Sequence, residues 1–307
     1  MRVLVEGNTA SNVYLIFVHG GPGASSYGYN TNYISQNIED KYACVYWDQR
    51  NAGASQGNSN GNNLNLPQMT EDLKKVILVL KSRYGQTSNV FILGHSFGGL
   101  LTASFMTTAN NQNMVKGWIF ADGSHNYPLN DTLTRQRLLT FGQEEIAANH
   151  NTTIWNPIVD YCNKHTGNFT YEESSQFYNY AHDVEEYIDE VKTKYNLTSL
   201  IKEYAIKDKW PLTALKLNGI YSSNADFNND LAKTEFTSSL YKVTTPTLII
   251  FGKYDFICPK ELGEDVFNRI KTNDKKIVIS PISGHNMFVQ DETFFCNEII
   301  KFIEQYR

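Results

Sequence analysis

The chain has no Cys-x-x-Cys pair; its four cysteines, Cys44, Cys162, Cys258 and Cys296, are scattered. Metal and redox motifs therefore have no signature, no disulfide pairing follows from the spacing, and buried or free thiols are expected. No apolar run approaches the roughly 20 residues of a membrane span. Positive charge is short as well: 27 Lys and Arg stand against 32 Asp and Glu, a formal net charge of −5. Without a basic run, general nucleic-acid binding is not expected. The opening "MRVLVEGNTASNVYLIFVHGG" lacks the charged start, apolar middle and small-residue cleavage site of a signal peptide. The mature part of an exported protein would read the same, so the compartment stays open, with the cytoplasm as default. Asn-x-Thr triplets begin at Asn130, Asn151, Asn168 and Asn196. They would matter only in a eukaryotic secretory route, for which nothing here argues.

What is present is a globular composition: 307 residues, 41% hydrophobic and 19% charged, enough for one large or two modest domains. Short apolar runs alternate with amphipathic stretches, the βαβ rhythm of a parallel sheet covered by helices. Strands are expected at Arg2–Glu6, Val13–Val18, Ala43–Trp47, Asn89–Leu93, Val115–Ala121, Thr247–Phe251 and Lys276–Ile279. Most are continuous apolar runs, as strands buried on both faces should be. "TEDLKKVILVLKSRYG" predicts a helix with Thr70 as N-cap and Glu71 and Asp72 at the positive end of its dipole. Leu73, Val76, Ile77 and Leu80 form its apolar face, and Gly85 ends it. From about 125 to 240 the strand-like runs vanish and tyrosines, acidic pairs and helical periodicity take over. That segment holds about 16 acids and about 10 bases, and so carries the negative balance. The expected fold class is α/β, with core segments 1–124 and 241–307. Residues 125–240 would be a helical cap, or lid, over the strands' C-terminal ends, where open α/β sheets bind ligands.

In "NVFILGHSFGGLLTASFM" a buried strand runs into Gly94-His95-Ser96-Phe97-Gly98 and then into helical periodicity, a G-x-S-x-G match in a strand–turn–helix setting. Such an elbow strains the backbone of its central residue, which only small neighbours at Gly94 and Gly98 permit. Ser96 is the candidate nucleophile. Its hydroxyl needs a general base held by an acid, in the order Ser, Asp or Glu, His. His285, in a glycine-containing loop after the last strand, is the expected base; Asp255, just past the strand Thr247–Phe251, is the expected acid. Asp122, ending "GWIFAD", competes for the acid role. The N–H groups of Gly21, in "FVHGGPGASS", and of Phe97 are assigned to an oxyanion hole. His95 points elsewhere on the turn, and His19 braces the glycine loop. No metal or organic cofactor is called for. The partner is a small-molecule or short-peptide substrate, with an acid limb expected near the imidazole range of about 6.5–7. Oligomeric state is left open.

His19–Gly23 (HGGPG), Asp48–Ser55 (DQRNAGAS), the Ser96 elbow, Asp255 and His285 together resemble the α/β-hydrolase superfamily and, within it, the proline iminopeptidase-related serine peptidases. The resemblance implies an α/β-hydrolase fold and release of N-terminal residues from short peptides or aminoacyl arylamides; a small-acyl esterase is the alternative. Family members usually read D-Q-R-G where Asn51 stands here, and G-G-S-W-G at the elbow, where His95 and Phe97 stand. Their lid glutamates bind the substrate's free amino group, one beside a tryptophan. No Trp-Glu pair occurs at Trp155 or Trp210, so Glu144, Glu145, Glu172, Glu173, Glu185 and Glu186 are candidates by charge alone, most as solvated helix faces. Asp48 and Arg50 are expected to brace the site loops as an ion pair. N-terminal strands are fewer than usual for the family, which implies a shortened or processed chain.

Overall fold

The computed structural model describes residues 1–56, 61, 63–192 and 219–307. Seven strands form where the apolar runs predict them: β1 (Val3–Gly7), β2 (Val13–Val18), β3 (Ala43–Trp47), β4 (Asn89–Ser96), β5 (Gly117–Gly123), β6 (Thr247–Gly252) and β7 (Lys275–Ser280). They make one sheet in the order β1-β3-β2-β4-β5-β6-β7. Only β1 runs antiparallel, paired with β3 at the edge. Strands β2 and β3 are buried along their whole length, which is why both read as unbroken apolar runs rather than alternating ones.

Helices cover both faces. Leu66–Tyr84 packs Leu73, Val76, Ile77 and Leu80 inward, and its C-cap is Gly85, as the periodicity predicts. Its start differs. The N-cap is Asn65, whose side chain accepts from the Gln68 N–H, and Thr70 lies one turn inside, its hydroxyl on the Leu66 carbonyl. Pro67 makes Asn65-Leu66-Pro67 look like loop, yet proline suits the first turn, where its missing N–H costs nothing. Helix Phe97–Thr107 is buried at every one of its residues, a central element with no polar face.

Between β5 and β6 the described residues are helical: Tyr127–Ala147, Thr152–Lys164, Tyr171–Val184, Gly219–Ser223 and Ala225–Leu231. Thr170 and Glu173 form a reciprocal capping box at the start of the third. Leu138, Trp155, Ile158 and Phe177 from this insertion belong to the same buried cluster as Phe120, Phe251 and Phe256. The Phe256 ring sits 5.3 Å from that of Phe141 and 6.1 Å from that of Trp155. Trp210 and Asn196 lie outside the described residues. All four cysteines are buried and unpaired. No helix among the described residues is long and apolar enough to cross a membrane.

Candidate active site

Because β2, β4, β5, β6 and β7 are parallel, their C-terminal ends share one edge of the sheet. Each delivers a candidate residue there. The His19–Gly23 loop follows β2, Ser96 ends β4, Asp122 lies near the end of β5, Asp255 follows β6 and His285 follows β7.

Ser96 has φ 57° and ψ −124°, a left-handed conformation that costs a non-glycine residue about 1–3 kcal/mol. The crowding around it explains its neighbours. A Cβ on Gly98 would lie 1.9 Å from the Val18 carbonyl oxygen, and one on Gly94 would lie 2.5 Å from the Gly98 carbonyl oxygen. The oxyanion-loop candidate is close by: a Cβ on Gly20 would come within 2.8 Å of Ser96 Cβ and 3.3 Å of its Oγ. Gly21 is the next residue along, and Phe97 is the first residue of the helix that follows the serine. Its N–H is one of those that have no partner within the helix.

His285 is 6% exposed, and its Nδ1–H donates to Asp255 Oδ2 at 2.9 Å. That leaves Nε2 as the basic nitrogen. Asp255 is fully buried, and its Oδ1 accepts the N–H groups of Ile257 and Cys258, each at 2.8 Å. Burial raises the Asp255 carboxyl, and those two donors oppose the shift by favouring the carboxylate. Burial, reinforced by His182, lowers the His285 imidazole to about 3, so the ring is neutral at ordinary pH. The Ser96 hydroxyl makes no hydrogen bond among the described residues.

Asp122 does not take the acid's place beside the imidazole. It also has positive φ, and its Oδ1 accepts the Gly252 N–H at 2.7 Å. Burial, and then the Asp255 charge, raises its carboxyl well above the usual range.

His95 and His19 brace the site. His95 Nε2–H donates to the His285 carbonyl at 2.8 Å, so its Nδ1 must accept from the Tyr29 hydroxyl at 2.7 Å. Burial lowers His95 to about 3, consistent with that single neutral tautomer. His19 donates from Nδ1 to the Gly20 carbonyl and accepts the Gln49 N–H on Nε2, as its bracing role requires. The expected Asp48–Arg50 ion pair is absent. Asp48 instead accepts from Ser25, from the hydroxyl and N–H of Ser26 and from the Ala54 N–H, and so ties the two loops together. Arg50 forms a two-pronged pair with Asp72 on helix Leu66–Tyr84, at 2.6 and 2.8 Å. Asn51 has φ 59°, a left-handed position that asparagine tolerates better than most residues.

Of the acidic candidates in the insertion, Glu145 contacts His150, and Glu173 contacts His165 and caps its own helix. Glu144, Glu172 and Glu186 are exposed. Glu185 is buried against the His285 loop, a position that sequence reasoning missed because an acidic pair in an amphipathic stretch looks like a solvated face. Tyr29 was missed too, since nothing local marks a loop tyrosine as a histidine's partner.

Comparison with known proteins agrees with this architecture. The alpha/beta hydrolase fold family matches residues 13–292. A probable aminopeptidase, YbaC, of Bacillus subtilis is 19% identical over 305 residues, covering 97% of this chain and 91% of that protein. A proline iminopeptidase of Saccharolobus solfataricus is 24% identical over 312 residues, covering 96% and 86%. Among solved structures, a proline iminopeptidase of Mycobacterium smegmatis superposes with a TM-score of 0.65 at 16% identity, over 99% of this chain and 94% of the other. An esterase of Exiguobacterium antarcticum does so at 0.64 and 16%, over 98% and 94%, so these likenesses establish the fold alone. With the sheet order, the strained serine at the end of β4 and a match spanning nearly the whole chain, this protein belongs to the α/β-hydrolase fold family.

Proposed function

We propose that the protein is a serine hydrolase that works through an acyl-enzyme, with Ser96 as nucleophile, His285 as base and Asp255 as the acid that orients it. The observation that carries this reading is the 2.9 Å Asp255–His285 contact at the sheet edge where the strained Ser96 ends β4. His285 Nε2 takes the Ser96 proton as Oγ attacks a carbonyl carbon, and Asp255 stabilises the imidazolium. The N–H groups of Gly21 and Phe97 hold the oxyanion, with each such donor contributing about 3–4 kcal/mol. The imidazolium then protonates the leaving group. Water, deprotonated by the same nitrogen, releases the acyl group and regenerates Ser96. Catalytic hydrogen bonds are often open before substrate arrives, in keeping with the unbonded Ser96 hydroxyl.

For substrate, the leading reading is release of N-terminal residues from short peptides or aminoacyl arylamides. It is supported by two relatives over most of this chain that are named an aminopeptidase and a proline iminopeptidase. Hydrolysis of small acyl esters is the second reading, favoured by a specific observation: Glu145, Glu173 and Glu185 are engaged by His150, His165 and the His285 backbone, not held free for an amine.

Two measurements test this. Ser96→Ala should abolish turnover of p-nitrophenyl butyrate and labelling by a fluorophosphonate; retention of more than a few per cent of activity refutes the nucleophile. A panel of proline-arylamide, other aminoacyl-arylamide and nitrophenyl-ester substrates separates the substrate readings. N-acetylation should abolish arylamide cleavage by an enzyme that anchors the amine, and should not affect an esterase.

A further inference from the structure

Glu185 opens a short turn, Glu185–Tyr187, directly after helix Tyr171–Val184 of the insertion. It is 7% exposed, and its two carboxylate oxygens accept the backbone N–H of His285 at 3.0 and 3.2 Å. The Phe256 N–H and the Gln290 side chain face the same carboxylate and favour its charged form, while burial and the Asp255 charge raise it. Gln290 in turn accepts the Gly284 N–H at 2.8 Å. Gly284 is needed for this approach, since a Cβ there would lie 2.4 Å from Glu185 Oε2.

One carboxylate from the segment between β5 and β6 thus holds the loop of the proposed base at its own backbone N–H. The backbone of His285 is held on both sides, its N–H by Glu185 and its carbonyl by His95. The choice of residue is costly. Glu185 is buried near two further carboxylates, Asp122 and Asp255, where an apolar side chain of similar size would often be as stable or more so. We propose that Glu185 is a positioning residue: from the helical segment between β5 and β6, it fixes the His285 loop in the geometry that proton transfer to and from His285 requires. This deepens the triad reading and rests on it.

The test uses the whole chain and p-nitrophenyl butyrate as probe. Glu185→Leu keeps the volume, removes the acceptors and relieves a buried charge, so it should fold. A displacement of a catalytic group by about 1 Å can cost on the order of 100-fold. Glu185→Leu should therefore lower kcat by roughly 10- to 100-fold with KM within about twofold. Glu185→Gln, which retains an acceptor for the His285 N–H, should restore kcat to within about threefold of the parent. A kcat unchanged in folded Glu185→Leu overturns the proposal. So does a raised KM at constant kcat, which would make Glu185 a substrate-binding group, or a Gln variant as impaired as Leu. Should Glu185→Leu not fold, the Gln variant alone decides by the same threefold limit. Ser96→Ala run alongside keeps the two claims apart: if it retains turnover, the triad reading fails whatever Glu185 does.

Discussion

The strained serine makes a prediction that runs against ordinary substitution behaviour. In most strands and helices, alanine is more stable than glycine by about 0.5–1 kcal/mol, because glycine has more conformational freedom to lose. At position 96 the order should invert. With φ 57° and ψ −124°, any Cβ there incurs about 1–3 kcal/mol of strain. Ser96→Gly removes that strain and loses about 0.4–1 kcal/mol through the greater freedom of its unfolded chain. Relative to Ser96→Ala, a net gain of about 0.5–2 kcal/mol is expected. At roughly 2 cal/mol/K per residue over 307 residues, 1 kcal/mol corresponds to about 1.5 °C, so the glycine variant should melt about 1–3 °C above the alanine variant. Comparing the two mutants, both without the hydroxyl, isolates the backbone from the chemistry. Calorimetry and urea unfolding on both proteins measure the difference. An alanine variant as stable as the glycine variant, or more so, would refute the claim that this corner stores strain.

Further outcomes follow from the same structure. His285 acts as base only when neutral, and burial lowers its imidazole below the ordinary 6.5, so neutral ring persists as pH falls. The kcat/KM for p-nitrophenyl butyrate should stay level from pH 8 to below 6; a half-loss at pH 7 or above in folded enzyme contradicts this. Arg50→Ala leaves Asp72 buried without its two-pronged partner and should cost about 3–5 kcal/mol in urea unfolding, and a change below about 0.5 kcal/mol would sink that reading. All four thiols are buried, and burial raises each of them, Cys162 to about 11 and Cys296 to about 12. Native protein should therefore take up no iodoacetamide by mass spectrometry at pH 8, and all four sites should react in denaturant.

The central strands were legible because burial on both faces writes each of them as an apolar run, while the edge strands β1 and β7 are only half-buried. The elbow was legible for a different reason. Close contacts of Gly94 and Gly98 with backbone atoms leave the sequence little choice there. The pairing of Asp255 with His285 followed from strand ends, since a parallel sheet delivers its loops to one edge. What stayed hidden depends on partners far away in the chain. Arg50 meets Asp72, not its near neighbour Asp48, because Asp48 is consumed by the N–H and hydroxyl groups of the adjoining loops. Glu185 meets the backbone of His285, a hundred residues on, and a backbone partner leaves no trace in side-chain pattern. Thr70 misled because its hydroxyl, a capping group by type, bonds within the helix instead.

Phe256, one residue beyond the acid, interlocks with Phe141 and Trp155 from the inserted helices, and the two segments share a single apolar interior. Pulling them apart would wet Trp155 and Phe256, at about 4–6 kcal/mol for each ring from roughly 150–250 Å² apiece. A rigid swing costing on the order of 10 kcal/mol would leave the parted form populated at only about one part in 10⁷, too little to capture substrate efficiently. Molecules must therefore reach Ser96 by a passage that leaves this aromatic rivet fastened, and heating should unfasten it only when the sheet itself gives way, in one calorimetric peak.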